Sequence, residues 1–311
     1  RLYEGVYEYN KRKGTPSQSR VLEIADLEAG EIVNSTPGSP MLITPEQDNV
    51  SWSGGMLYIN DLEGKITKVN LTSMNTDDLG NSIKMFDSTT LFTAGSSKSN
   101  GRYMYHSMDV AKDKKGRIWL FGGTGDYDRI NDTTPGVSNY LLGIKDPHYP
   151  YYRDVATPTT AADITQCKNT TNDSSGVHCP KTGDKGWYAI LPNFAKTTAE
   201  PTAKSGNVFF PVYEPTTGVN RCLLGDAYIC ARDGVCGTDI SRRVLGKNSG
   251  NKNMQNCLFV GRGVLSKIVF FGNTFFANIA GEAQSGKKDL VTGKASTSGS
   301  ATYRSSWKSN Y

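Results

Sequence analysis

The residues with most chemistry to offer are six cysteines, Cys167, Cys179, Cys222, Cys230, Cys236 and Cys257. All lie in the second half of the chain, mostly beside Gly, Asp and Asn, as loop-stapling disulfides formed outside the cytoplasm would. Sequence proximity favours Cys167 with Cys179 and two bonds among the other four. Cys167, His178 and Cys179 could instead hold a metal, but the closely paired CxxC spacing of a zinc site is missing. His106, His148 and His178 are scattered, and no HExxH or GxSxG element is present. Gly123-Thr124-Gly125 lacks the GxxxxGK[ST] spacing and the following helix of a phosphate loop, so it reads as a structural turn. The oxygen-rich stretch Asp126, Asp128, Asn131 and Asp132 is loosely spaced and suits Asx-turns and strand caps better than a cation. In the run Tyr149-Pro150-Tyr151-Tyr152, the rings of Tyr149, Tyr151 and Tyr152 could form a sticky adhesive face, or the packed edge of a sheet. What remains is binding chemistry; catalysis finds no residue set.

These residues sit on an all-β pattern. Short β-branched or aromatic runs at 20–26 (RVLEIAD), 56–59 (MLYI), 66–71 (ITKVNL), 117–122 (RIWLFG), 187–191 (WYAIL), 207–213 (NVFFPVY) and 264–271 (VLSKIVFF) alternate with Gly, Asn and Asp turns. Residues 60–65 (NDLEGK) and 112–116 (KDKKG) read as hairpin turns whose Gly supplies a positive φ. Antiparallel groups of strands recurring at roughly 40–50 residues suit a β-propeller, although a sandwich fits the local pattern too. Polar insertions occupy about 157–185 and 225–256. After a Gly, Ser, Lys and Thr-rich stretch at 281–300, the apolar signal returns at Tyr303 and Trp307, giving a closing strand over 301–311. The composition, 37% hydrophobic with 33 glycines, is that of a folded body. The net charge of +5 is spread in short clusters without interleaved stacking aromatics, which argues against nucleic acid. The most apolar stretch, 264–280, is broken by Ser266, Lys267, Gly272 and Asn273, so no membrane span of about 20 residues is expected. Residues 1–311 read as one domain, an internal or processed piece of a longer exported protein whose signal lies upstream.

Residues 116–147 (GRIWLFGGTGDYDRINDTTPGVSNYLLGIKDP) carry a resemblance. They are similar to the PilY/PilC family of type IV pilus tip adhesins and biogenesis factors, in which a Gly-Arg-aromatic strand leads into Phe-Gly-Thr-Gly-x-Tyr, an Asp-rich turn and a Tyr-Gly-Ile-x-Asp close. The matching residues are Phe121, Gly123, Thr124, Gly125, Tyr127 and 142–146. Further blocks follow in the family's order: 57–71 (LYINDLEGKITKVNL), Gly186-Trp187-Tyr188, 199–215 (AEPTAKSGNVFFPVYEP), Cys222 and 303–307 (YRSSW). The likeness runs from about Val21 onward and is thin in the two insertions.

The resemblance implies a modified β-propeller, incomplete in this piece because the family's propeller is longer, with disulfide-stapled loop insertions. It implies a non-enzymatic protein of the pilus tip, outside the cell or at its surface, reached through the periplasm, with outer-membrane association a further option. The implied roles are pilus assembly, surface adhesion and twitching motility. The implied partners are minor pilins, the N-terminal part of the same polypeptide, and a host or abiotic surface. It also implies calcium in an Asp-x-Asp/Asn-x-Asp-Gly-x-x-Asp loop, where converging oxygens hold a hard cation. Here that loop corresponds to Thr44, Glu46, Asp48 and Trp52. Only Glu46 and Asp48 keep a carboxylate and Asn49 replaces the turn glycine, so a plain surface turn competes with a metal site. Two other readings stay open: a secreted propeller enzyme of quinoprotein or glycosidase type, which needs a cofactor-capping or paired-carboxylate site, and a filament-capping subunit with no adhesive role.

Overall fold

A strand sends successive side chains to opposite faces, and Ile118-Trp119-Leu120-Phe121 is apolar at both parities, so such a strand must be covered on both sides. The computed structural model describes residues 2–4, 20–22, 34–44, 54–72, 74–134, 136–167, 185–216, 224–246, 254, 256–283 and 289–296. Its strands are β1 (Leu2–Glu4), β2 (Arg20–Leu22), β3 (Met41–Ile43), β4 (Met56–Asn60), β5 (Lys65–Asn70) and β6 (Ser88–Thr93), then β7 (Asp109–Lys112), β8 (Ile118–Gly123), β9 (Tyr140–Asp146), β10 (Thr159–Thr160), β11 (Thr165–Gln166) and β12 (Gly186–Ile190). There follow β13 (Lys196–Thr197), β14 (Thr202–Lys204), β15 (Asn207–Glu214), β16 (Asp226–Asp233), β17 (Leu258–Leu265), β18 (Val269–Phe271), β19 (Thr274–Ala283) and β20 (Leu290–Lys294). A single turn of helix, α1 (Ser241–Val244), lies between β16 and β17.

These strands form blade-like antiparallel sheets. The first has the order β3-β4-β5-β6 with β10 added in parallel on β6; the second has β7-β8-β9-β12 with β11 added in parallel on β12. The third runs β13-β15-β16-β17-β19-β18, with β14 on β15 and β20 on β19, and β1 pairs β2 as a separate ribbon. The hairpins expected at 60–65 and 112–116 form by one device. Asp61 and Asp113 each accept from the backbone N–H four residues on, at 3.0 and 2.9 Å, and Gly64 and Gly116 take φ of +69° and +79°.

The two parities explain the cores. Val110, Ile118, Leu120, Leu142 and Ile144 face the first sheet, where they meet Met41, Ile43, Met56, Tyr58 and Ile66. Ala111, Trp119, Phe121 and Leu141 face the third sheet and its Val208, Phe210 and Val212. On the far side of the third sheet, Phe209, Ala227 and Ile229 pack with Phe275, Ile279, Val291 and the Val244 and Leu245 end of α1. Stacking sheets face to face in this way is propeller physics: a middle sheet has no solvent face, so its strands read as unbroken apolar runs.

Two sequence readings change. The run 264–271 is not one strand: β17 ends at Leu265 and β18 starts at Val269, and Ser266 turns the corner, its N–H donating to Asn278 O at 2.8 Å. Residues 226–233, assigned to the second polar insertion, are the buried central strand β16. Polar Asp226 and Asp233 at its ends mask the run, and its one buried charge, Arg232, lies 3.9 Å from Asp239. Of the first insertion, the described start supplies β10, a 3-10 turn and β11. Residues 168–184 and the expected closing strand over 301–311 lie outside the described residues.

The first two sheets are joined by a buried ion pair. Lys68 of β5 and Asp146 of β9 stand 2.6 Å apart with side chains 2% and 0% exposed. Tyr58 Oη donates to the same Asp146 Oδ2 at 2.6 Å, His148 N–H donates to Oδ1 at 3.0 Å, and Lys68 Nζ donates to Tyr151 O at 2.7 Å. Burial pushes the Lys68 ammonium down, against the pull of Asp146. Removing one partner strands the other charge in the core. We expect Lys68→Met to cost about 3–5 kcal/mol and the apolar pair Lys68→Met/Asp146→Leu to cost clearly less. Urea unfolding checks this, and a double variant as unstable as the single would contradict it.

Candidate functional site

The residues singled out by sequence fall partly inside and partly outside the described chain. Glu46, Asp48 and Trp52 of the calcium-type loop lie outside the described residues. Thr44, at the edge of that loop, is described: its carbonyl accepts from Tyr149 Oη at 3.0 Å.

The tyrosine run divides between core and surface. Tyr149 is 9% exposed and Tyr152 2%, and both belong to the core between the first two sheets; Tyr151 alone reaches solvent, at 37%. Burial raises the Tyr149 hydroxyl to about 12, and Lys112 Nζ sits 5.7 Å above its ring. The reason is the path of the chain. After β9, residues 147–167 form a strap that crosses to the first sheet and returns. Arg153 grips Asp78 at 2.8 and 2.9 Å, Val155 N–H donates to Thr89 Oγ1 at 2.9 Å, and β10 extends β6. The strap then turns through Ala161–Asp163, buries Ile164 in the same core, and extends the second sheet with β11. The tyrosines are its anchors.

The cysteines divide. Cys230 of β16 is bonded to Cys257, just before β17, and Cys236 is also disulfide-bonded. Cys167 is a free, buried thiol, against the expected bond to Cys179. Its Sγ is turned into the protein, donating to Cys236 O at 3.1 Å, where a Cβ on Gly237 would come within 2.5 Å of it. Burial raises that thiol to about 11, which leaves it protonated and inert. Cys179 and Cys222 lie outside the described residues.

The oxygen-rich loop between β8 and β9 uses its side chains internally. Asp126 accepts from Arg129 Nε at 2.7 Å, Asp128 from Tyr105 Oη at 2.9 Å, and Asp132 from Thr134 N–H at 3.0 Å. Asn131 Oδ1 accepts from Tyr213 Oη. The backbone oxygens converge on an ammonium group that sequence reading missed. Lys196 Nζ donates to Asp132 O at 2.8 Å, Ile130 O at 3.1 Å and Phe194 O at 3.4 Å. This buried lysine takes the place a hard cation would occupy among carbonyl oxygens. Its signal in the sequence is faint, a lone Lys among small and polar residues. The Gly-Thr-Gly turn is built around the same element, since a Cβ on Gly123 would meet Thr197 at 2.1 Å and one on Gly125 would meet Lys196 at 2.6 Å. Thr124 closes the sheet end, accepting from Tyr140 N–H at 2.8 Å.

Beside this loop the structure gathers aromatic side chains that sequence reading left scattered. Tyr105 and Tyr127 lie 6.3 Å apart, and His106 meets Tyr127 edge-on at 4.9 Å. Tyr127, Asp128 and Arg129 are exposed. Burial lowers His106 to about 4, so it is neutral at physiological pH. Burial and the hydrogen bond to Asp128 raise Tyr105. The surface therefore offers neutral rings with hydroxyl tips beside one ion-paired Asp-Arg loop. It can stack and hydrogen-bond; it holds no nucleophile activated by a base.

Lys196 gives a test of the loop. Burial lowers its ammonium to about 8 from an ordinary 10.5, with Asp132 and Asp126 opposing. Between those values the unfolded chain holds a proton that the folded chain has released, so this residue makes stability rise with pH, by at most about 1.4 kcal/mol per unit. The stability of the wild type relative to Lys196→Met is expected to grow from pH 8 to 10 in urea melts. A difference independent of pH would refute the assignment.

No family model and no curated protein matches the chain. Among solved structures, the chain is similar to the crystal structure of the Pseudomonas aeruginosa PilY1 C-terminal domain, with a TM-score of 0.56 and 14% identity over 87% of this chain and 62% of that one. The chain thus spans less than two thirds of that structure, and at this identity the likeness establishes the fold: an all-β, modified β-propeller. A GH43 endo-arabinanase from Bacillus licheniformis (TM-score 0.25, 11% identity, 82% of this chain and 92% of that one) and BamB from Moraxella catarrhalis (0.17, 9%, 76% and 78%) are too distant in shape to carry an argument.

Proposed function

We propose that the chain is a non-enzymatic, pilus-associated binding protein that works outside the cytoplasm, presenting loops on a rigid propeller-like scaffold. The observation that carries this reading is the agreement of two likenesses, one in sequence and one in fold. The ordered sequence blocks resemble the PilY/PilC family, and the fold matches the PilY1 C-terminal domain over 87% of the chain. The Cys230–Cys257 disulfide supports an oxidising compartment. Among the described residues no helix is long and apolar enough to cross a membrane. On this reading the protein acts at the pilus tip with minor pilins and the N-terminal part of its own polypeptide, and supports assembly, adhesion and twitching. Calcium at Glu46 and Asp48 belongs to the same proposal.

The adhesive contact is assigned to Tyr127, Tyr105 and Asp128, because exposed Tyr127 stands in a cluster of rings, whereas Tyr151 is a single exposed ring between buried Tyr149 and Tyr152. An exposed aromatic anchor that is lost from an interface costs about 1–2 kcal/mol, or roughly tenfold in affinity. In the bacterium that encodes the chain, Tyr127→Ser is expected to leave pili assembled and cut surface attachment by roughly that factor. Loss of pili in that variant would favour the capping reading, and turnover of sugars or alcohols by the purified protein would overturn the non-enzymatic one.

A further inference from the structure

The turn after β8 sets three kinds of group side by side. Tyr127, Asp128 and Arg129 follow one another in the chain, and all three are exposed. Tyr127 supplies a ring, 38% exposed; Tyr105 and His106, which it touches, are half-buried, and Tyr103 behind Tyr105 is buried. Asp128 accepts from Tyr105 Oη through Oδ2 at 2.9 Å, which leaves Oδ1 as the acceptor for a ligand. Arg129 donates through Nε to Asp126 Oδ2 at 2.7 Å, and its Nη1 stands 3.9 Å from Asp132, so the guanidinium keeps its terminal donors for a ligand.

The turn is held from beneath. Arg129 N–H donates to Asp126 Oδ1 at 3.2 Å, Asp132 N–H to Arg129 O at 2.9 Å, and Gly125 N–H to Tyr103 O at 2.9 Å, while Lys196 gathers the carbonyls of Ile130 and Asp132. A small ligand therefore meets groups already ordered by folding, and binding them costs little further entropy. Charge narrows what that ligand is. Three carboxylates, Asp126, Asp128 and Asp132, stand about the turn against two cations, Arg129 and Lys196, and the neighbouring His106 is neutral. An anion is disfavoured there.

An aromatic face carries partial negative charge and attracts C–H groups polarised by neighbouring oxygens. Planar carboxylate and guanidinium groups suit adjacent hydroxyls, one accepting and the other donating. One exposed ring with one acceptor and one donor edge matches a single pyranose unit, whereas a protein partner needs a patch of about 800 Å². Resting for its role on the adhesive contact assigned above, we propose that Tyr127, Asp128 and Arg129 bind a neutral hexopyranose unit of a surface glycan. A β-galactoside fits best, because its axial hydroxyl leaves the opposite face of the sugar ring to C–H bonds. That face stacks on Tyr127, and the hydroxyls reach Asp128 and Arg129.

Saturation-transfer NMR on the purified chain with methyl β-galactoside tests this. Binding with a dissociation constant on the order of 1 mM is expected, with the strongest transfer to the protons of the C–H face. Tyr127→Phe keeps the ring and should bind within about threefold of wild type, while Tyr127→Ser should bind about tenfold more weakly or worse. Methyl β-galacturonide, the same ring with a carboxylate, should bind about fivefold more weakly than the galactoside. No transfer in the wild type would overturn the proposal, as would an unchanged signal in Tyr127→Ser or a galacturonide bound as tightly as the galactoside. Attachment of the bacteria separates the two assignments. If Tyr127→Ser abolishes attachment while the sugar shows no transfer, the sugar site falls and the adhesive contact stands. If the sugar binds at Tyr127 while attachment is unchanged in Tyr127→Ser, the adhesive contact falls and the sugar site stands without that role.

Discussion

The contact on which the first half of the fold depends is the buried pair of Lys68 and Asp146. Withdrawing two charges from water costs several kcal/mol per ion, and attraction repays it only with short distances and every remaining hydrogen-bonding position filled. Here short contacts come from three sides. The aspartate collects Lys68, Tyr58 and the His148 N–H, and the lysine also reaches the carbonyl of Tyr151. One cluster therefore fixes the register between the first sheet, the second sheet and the start of the strap. Apolar packing would tolerate small rotations of one sheet on another; a dry ion pair at 2.6 Å does not.

The strap follows from that anchor. It must leave β9 beside Asp146, so its first aromatic residues fall into the junction between sheets and become core. Its two short strands then extend one sheet each, which ties the outer edges as the ion pair ties the interior. The same principle operates at the second junction. Gly143 lies opposite Trp187 in the paired strands, and a Cβ there would come within 2.3 Å of the indole, which donates in turn to Gly234 O at 2.9 Å. The Gly-Thr-Gly turn is likewise moulded on Lys196 and Thr197.

These contacts give a physical reason for the sequence blocks that carry the family resemblance. Asp146 closes one block and is bound by Tyr58 and Lys68 of another, Gly143 makes room for the Trp of a third, and Gly123 and Gly125 at the end of β8 make room for β13. The recognisable residues are those that one sheet requires of the next. That concerns architecture, and it explains why the blocks identify a scaffold; Tyr127, exposed within the same stretch, is the exception.

The sequence by itself determined the all-β class, the hairpin turns at 60–65 and 112–116, and most strand positions, because alternation and the conformational freedom of a turn Gly are local properties. It also indicated disulfides, and Cys230–Cys257 forms. Only the tertiary structure decided which aromatics are buried, that Cys167 is free, that 226–233 is a core strand despite its polar ends, and that the Lys196 ammonium gathers backbone oxygens of the loop over 126–132. Those outcomes depend on which side chains meet across more than 60 residues of chain, as Lys196 meets Ile130 and Asp132. Burial and charge pairing are properties of such meetings, and no spacing along the chain encodes them.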